Sequence, residues 1–248
     1  MIETKYKSAE ELKYTIGERN KLAILSCGAC ANLCDVGGVR GAAFVNQLVE
    51  TWGKEVVTAR TIAACCPEPI MRHAQGTILK KGSIDGLIVI SCAAGVKTAV
   101  LCHPGVPVIA ACDTVGASSL LHPGNPIDPP VAETLCKACG HCVISFTGGI
   151  CPMASCPARS LYGPCKKAPQ EGRQCTLAPD RECIWREIES RGTDLDKLQE
   201  LKAIHQSDTI SRIPSLKPKP SGNMLRRYVG IVGGLIPGRL MEVVHWAR

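Results

Sequence analysis

The chain has 248 residues, of which 45% are hydrophobic and 4% aromatic, and its formal net charge is +7. This length allows one substantial core and a smaller second unit. The N-terminal Met-Ile-Glu-Thr-Lys-Tyr-Lys lacks the apolar stretch of a secretory signal, and the uncharged residues 228–238 are too few to span a bilayer. We therefore expect a cytoplasmic protein without a transmembrane segment.

Sixteen cysteines dominate the chemistry that the sequence offers. A reducing cytosol does not sustain structural disulfides, so this number of thiols indicates metal or redox chemistry. Iron–sulfur clusters are the leading interpretation, and their sensitivity to oxygen suggests an anaerobic host. A nucleophilic thiol with a histidine base is a weaker alternative, because His103, His122 and His141 have no evident acid partner.

The first 121 residues predict an α/β domain. An opening helix over residues 8–17 precedes strands at 21–26, 56–64, 86–91 and 106–111, with helices at 42–52, 69–80 and 95–101 between them. This alternation is typical of a small parallel sheet covered by helices.

Each predicted strand runs into cysteine. The carboxyl ends of parallel strands lie at one edge of a sheet, so these thiols should meet there although they are distant in sequence. We expect a [4Fe–4S] cluster at this edge. The favoured ligands are Cys27, Cys30, Cys66 and Cys92, with Cys34, Cys65 and Cys112 as substitutes or packing thiols and Cys102 as a packing residue.

Two glycines, Gly37 and Gly38, follow the first group of cysteines. They could let the backbone approach a cluster or a phosphate, and we take them as candidate cofactor-binding positions. They do not form the G-x-G-x-x-G pattern of dinucleotide sites, so a tight loop is the simpler interpretation.

Four prolines within residues 122–130 mark the predicted domain boundary. Residues 131–190 then form an irregular Cys-rich domain, in which metal must replace much of the missing core. The run Cys136-x2-Cys139-x2-Cys142 is typical of a ferredoxin-like [4Fe–4S] cluster, with Cys151 or Cys156 as the fourth ligand. Three later thiols could, with Cys156, hold another cluster or zinc: Cys165, Cys175 and Cys183.

The last predicted unit, residues 191–248, comprises a polar helix at 194–205, an exposed linker and a basic tail. Seven basic residues lie between Arg212 and Arg248, against the single acidic Glu242. No nucleic-acid motif accompanies them, so we expect the basic residues to contact a partner protein. The amphipathic stretch 224–246 could dock on that neighbour, and packing back on its own domain is the alternative.

Several motifs in order resemble the methylenetetrahydrofolate reductase C-terminal domain family, whose free-standing members are MetV-type iron–sulfur subunits. The likeness spans roughly residues 20–190 and differs from the family after the Gly-Pro-Cys motif, where Lys166-Lys-Ala-Pro stands. It is carried by Cys27-Gly-x-Cys30, Gly37-Gly38, Cys136-x2-Cys-Gly-x-Cys142, Thr147-Gly-Gly-Ile-Cys-Pro152, Cys156-Pro, Gly163-Pro-Cys165, Gly172-x2-Cys175 and Cys183-Ile-Trp185.

The resemblance implies an accessory subunit without catalytic residues of its own. It would pass electrons from a low-potential donor, such as ferredoxin or another iron–sulfur subunit, to a MetF-type flavoprotein that binds FMN and reduces methylene to methyl in one-carbon metabolism. Two [4Fe–4S] clusters are expected, with a further cluster or zinc in addition. The alternative is a structural zinc-binding scaffold in a redox complex, which explains the Cys-rich domain better than the strand-end thiols.

Overall fold

A computed structural model describes residues 2–117 and 136–207 of the chain. The first of these ranges contains six strands and five helices. In chain order they are β1 (Ile2–Tyr6), α1 (Ala9–Ile16), β2 (Lys21–Cys27), α2 (Cys30–Leu33), α3 (Gly38–Thr51), β3 (Glu55–Ile62), α4 (Glu68–Leu79), β4 (Gly86–Ile90), α5 (Ala93–Leu101), β5 (Val108–Ala110) and β6 (Cys112–Ala117).

Four of these strands form the predicted parallel sheet, in the order β3-β2-β4-β5. The central strands β2 and β4 are mainly apolar because helices cover both faces, and Leu22, Ile24, Ile88 and Ile90 are fully buried. The α/β class is therefore confirmed, and the predicted strands and helices agree with the observed ones within a few residues.

A second sheet was not predicted. β1 pairs antiparallel with β6, and the register places Tyr6 opposite Cys112. The predicted last strand thus ends at Ala110, and the chain turns into β6 from Cys112 onward. Two residues of β6 contact the Cys-rich region: Asp113 accepts a hydrogen bond from the Cys142 N–H, and the Thr114 carbonyl oxygen accepts one from the Gly140 N–H.

The second described range holds short elements around a small core. They are α6 (Pro152–Ser155), β7 (Gln174–Cys175), β8 (Ala178–Glu182), α7 (Ile184–Ser190) and α8 (Leu195–Gln206). The predicted polar helix is α8, and Asp194 caps it by accepting hydrogen bonds from two backbone N–H groups. Its buried Leu198 and Leu201 pack with Trp185 and three cysteines.

Some predictions lie outside the described residues. The proline-rich boundary at 122–130 and the basic tail beyond residue 207 are among them, and the three predicted domain limits remain predictions. Across the described ranges, every helix is too short or too polar to cross a membrane.

Candidate metal centres

Five thiols gather at the carboxyl edge of the parallel sheet. Cys27 ends β2, Cys92 follows β4 at the start of α5, and Cys30 begins α2. Cys65 and Cys66 follow β3 in the loop to α4. We call this group the strand-end site: Cys27, Cys30, Cys65, Cys66 and Cys92.

Cys27 is the most acidic member of the strand-end site. The Cys65 thiol donates to its sulfur, and backbone N–H groups of Cys65, Ala29 and Ala31 do the same. These donors outweigh burial and lower the pKa of Cys27 to about 6. A thiolate is the form that binds metal, so Cys27 is prepared for that role at neutral pH.

The other members repel one another when ionised. The pKa of Cys65 is raised well above its usual value by its hydrogen bond to Cys27 and by burial. Burial also raises the pKa of Cys92, with smaller contributions from Cys27 and Cys30. Cys66 is the exposed member, and burial and the neighbouring Cys92 raise its pKa. A bound cation would relieve this mutual repulsion.

The surroundings of the strand-end site suit sulfur ligands. The N–H groups of Ala94 and Gly95, at the start of α5, point to the Cys92 sulfur. The Ser91 hydroxyl is buried beside the Cys65 sulfur, where hydrogen bonding from it opposes the rise in the pKa of Cys65. Gly95 is required here, since an added Cβ would lie 2.2 Å from Ser91 Oγ and 2.6 Å from Cys65 Cβ. These donors fit the chemistry of cluster-bound thiolates, whose potentials depend on hydrogen bonds to sulfur.

The remaining thiols of residues 2–117, which are Cys34, Cys102 and Cys112, lie outside the strand-end site. The Cys34 thiol donates to the Ile2 carbonyl oxygen at 3.6 Å, and Cys112 is almost fully buried in the main core. Cys102 is also buried, as expected of a packing residue.

Gly37 and Gly38 serve the packing of the first loop on itself. A Cβ at Gly37 would lie 2.5 Å from the Cys27 carbonyl oxygen, and Gly38 has a φ of +68°. These contacts support the tight-loop interpretation, whereas cofactor binding by the two glycines remains a prediction.

A second group of thiols lines one cavity, and we call it the loop site: Cys136, Cys139, Cys142 and Cys151. Ala93, Thr114 and Leu161 line the same cavity. The sequence left Cys151 and Cys156 open as the fourth ligand. Cys151 lines the cavity, while Cys156 packs in the small core with Trp185.

Burial controls the acidity of the loop site. It raises the pKa of Cys142 to about 12, although the Lys7 ammonium opposes this effect. Burial likewise raises the pKa of Cys136, against hydrogen bonds from the Ala138 N–H and the Thr114 hydroxyl. Burying these thiols without a cation thus favours their protonated forms, and metal would be needed to hold them as thiolates.

The two sites are neighbours. Cys92 belongs to the strand-end site, and the next residue, Ala93, lines the loop-site cavity; consecutive Cα atoms are about 3.8 Å apart. The Thr114 hydroxyl accepts from the Ala93 N–H at 2.9 Å and hydrogen-bonds the Cys136 sulfur. One buried side chain therefore connects the two groups of cysteines.

The late thiols form a looser third group. Cys156, Cys175 and Cys183 are buried in the small core, and Cys165 is half-buried. Cys175 lies on β7, and Cys183 follows β8 and donates its N–H to the Arg173 carbonyl oxygen at 2.7 Å. The β7–β8 hairpin thus carries two of the predicted ligands.

Within residues 2–117 and 136–207, no three His, Cys, Asp or Glu side chains converge closely enough to hold a metal ion. Bringing four sulfurs onto one cluster would require side-chain rearrangement at either site. The ligand sets therefore remain predictions, supported by shared location and by the donor groups around them.

A cavity of about 1040 Å³ lies at the opposite end of the strands. It is lined by residues that precede β2, β4 and β5, including Arg19, Asp85 and Pro107, and by α8. None of its described lining residues is a cysteine, so it has no part in either site.

Sequence reasoning missed the polar residues that support the loop site. Lys7, Glu11 and Asp113 form a buried network against Cys142. Charged residues of this kind are ordinarily exposed, and Asp113 and Cys142 are more than 100 residues from Lys7. The local signals were the Lys7–Glu11 spacing of four residues and the Ser8–Glu11 helix cap.

The fold and these sites together define an α/β protein with two adjacent cysteine groups and an irregular Cys-rich extension. Residues 122–211 match the family model described as "Methylene-tetrahydrofolate reductase C terminal". The matched range contains the whole loop site and the late thiols. No curated protein and no solved structure matches the chain.

Proposed function

We propose that the chain is an iron–sulfur subunit that delivers low-potential electrons to a flavin-containing methylenetetrahydrofolate reductase partner. Bound clusters would supply one-electron chemistry at the strand-end and loop sites. The chain's own residues hold the sulfurs, shield them from water and supply N–H donors to them. The partner would carry FMN and the folate, and a donor such as ferredoxin would reduce the chain.

One observation carries the proposal: two groups of cysteines lie side by side, joined through Ala93 and Thr114. A purely structural metal site needs no such neighbour, whereas electron transfer requires short distances between centres. The family match over residues 122–211 supports the link to methylenetetrahydrofolate reductase. The more specific assignment as a MetV-type subunit rests on the motifs of the sequence, and we include it in the proposal.

A zinc scaffold is the second candidate, and the late thiols favour it. Three of them are buried in a small core whose other buried members, among residues 2–117 and 136–207, are Val143, Trp185, Ile188, Leu198 and Leu201. Such a small core needs additional stabilisation, and zinc with four thiolates would provide it. Zinc at the late thiols is compatible with clusters at the other two sites.

Anaerobic purification followed by iron, sulfide and zinc analysis tests the proposal, with Cys139→Ser as the diagnostic variant. We expect the wild-type protein to contain two clusters and the variant to lose the iron of one, because Cys139 lines the loop-site cavity. Electron delivery to the flavin of the partner should fall at least tenfold, while the flavin content of the partner is unchanged.

Cys102→Ser is the matched control, because Cys102 is buried outside both sites. It should keep its iron and its visible absorbance. A colourless wild-type protein that contains zinc and no iron would overturn the proposed electron transfer. Equal iron in wild type and Cys139→Ser would refute the ligand assignment alone.

A further inference from the structure

A buried lysine lies behind the loop site. Lys7 follows β1 and its side chain is 2% exposed, yet it carries a charge. Its ammonium donates to the carboxylates of Glu11 and Asp113, the latter at 2.9 Å, and both carboxylates are buried as well. Two opposing charges hold the lysine in its protonated form and raise its pKa above the ordinary value, although burial alone would lower it.

Lys7 and Asp113 both hydrogen-bond the backbone of Cys142, in the loop that carries the loop-site cysteines. Lys7 Nζ donates to the Cys142 carbonyl oxygen at 2.8 Å, and the Cys142 N–H donates to Asp113 Oδ1 at 2.9 Å. One ion pair therefore satisfies both the donor and the acceptor of Cys142. The Thr114 carbonyl oxygen accepts from the Gly140 N–H at 3.0 Å, which fixes the same loop two residues earlier.

Glu11, the third member of the network, contacts α8. Glu11 Oε1 lies 2.9 Å from His205 Nε2 on α8, and His205 Nδ1 is 2.7 Å from the Tyr162 hydroxyl. The ring of His141, between two loop-site cysteines, packs on His205 with a centroid distance of 4.8 Å. The loop is thus enclosed between the α/β half and α8.

Simple stabilisation does not explain this arrangement. Burying three charges is costly, and apolar residues of similar volume commonly replace such groups without loss of stability. Apolar side chains could not hydrogen-bond the backbone of Cys142. Groups around metal ligands typically orient them and adjust the metal's properties.

We propose that Lys7, paired with Asp113 and Glu11, is a positioning residue that sets the geometry of the loop site and raises the reduction potential of its cluster. This inference rests on the proposed function. The positive charge lies one peptide away from the Cys142 sulfur and favours the more negative, reduced state. The strand-end cluster should be much less affected, because none of its ligands touches this network.

The test is an anaerobic redox titration monitored by electron paramagnetic resonance, together with iron analysis and amide hydrogen exchange of residues 136–143. Lys7→Met should lower the potential of the loop-site cluster, speed exchange at Cys142 and reduce iron retention at that site at least twofold. Lys7→Arg keeps the charge and should restore most of the potential. The potential of the strand-end cluster should shift much less than that of the loop-site cluster in both variants.

Lys13→Met is the matched control, since Lys13 is exposed on α1. If Lys7→Met does not fold, Lys7→Met/Glu11→Gln leaves only Asp113 charged, and Asp113 keeps its bond to Cys142. A loop-site potential and exchange rate equal to wild type in Lys7→Met overturns the inference, as does wild-type exchange at Cys142 in the double variant, whose network keeps the net charge of the wild type. A wild-type protein without iron would instead overturn the proposed function.

Discussion

Cys27 and Cys142 show how one residue type acquires opposite acidities within a single fold. Three backbone N–H groups and a thiol surround Cys27, and they bring its pKa to about 6. Cys142 is half-buried and has less hydrogen bonding to its sulfur, and loss of water around the sulfur raises its pKa to about 12. The strand-end site therefore contains a thiolate before metal arrives, whereas the loop site must lose protons as it binds metal.

At the residue scale, Cys151→Ser and Cys156→Ser separate the fourth loop-site ligand from a core thiol. Cys151 lines the cavity, so its replacement should remove the iron of one cluster, about half of the total. Cys156 packs in the small core, so Cys156→Ser should keep that iron but cost about 1–3 kcal/mol through a buried hydroxyl. Iron analysis and denaturant unfolding distinguish the two. Loss of loop-site iron in Cys156→Ser alone would reverse the assignment.

At the element scale, α5 approaches the strand-end site only because residue 95 has no side chain. Gly95→Ala would place a Cβ 2.6 Å from Cys65 Cβ, and we expect it to cost about 1–3 kcal/mol and to lower iron at that site. Gly76, on α4, is the matched control because a Cβ there meets nothing within 4 Å. Gly76→Ala should gain about 0.5–1 kcal/mol. Urea unfolding with iron analysis measures both, and equal stability of the two variants would contradict the steric argument.

The elements differ in how readily the sequence predicts them. Strands β2, β4 and β5 are mainly apolar runs, whereas β3 mixes apolar, polar and charged residues. The rule that parallel strands end at one edge predicted that Cys27, Cys66 and Cys92 lie together. β1 was missed because its residues alternate with charged ones, and only pairing with β6 buries Thr4 and Tyr6. The β7–β8 hairpin lacks a periodic pattern. The choice between Cys151 and Cys156 depended on loop geometry that spacing does not encode.

At the scale of the whole molecule, Glu11 links the α/β half to α8, and its titration predicts acid sensitivity. Burial would raise the pKa of this carboxyl, but Lys7 and His205 outweigh it and hold the pKa below the usual value. Its stabilising effect is therefore complete above about pH 4.3, the value for an unfolded chain, and is lost as the pH falls through the lower folded value. Each pKa unit corresponds to about 1.4 kcal/mol.

Glu11→Gln provides the comparison. The wild-type protein should be more stable than the variant at pH 7, and this difference should shrink as acid protonates Glu11. Urea midpoints of both proteins between about pH 3.5 and pH 7 measure the effect, and the variant corrects for acid damage common to both. A difference that stays constant over this range would show that the Glu11 carboxylate does not supply the link.

The partners of Lys7 have a consequence for biosynthesis. Lys7 leaves the ribosome early, Asp113 follows 106 residues later, and Cys142 emerges 135 residues after Lys7. Until then the ammonium has only Glu11, four positions along the chain, to neutralise it. Iron insertion at the loop site is therefore expected to be a late maturation event, which follows the synthesis of Asp113 and of the cysteines up to Cys151.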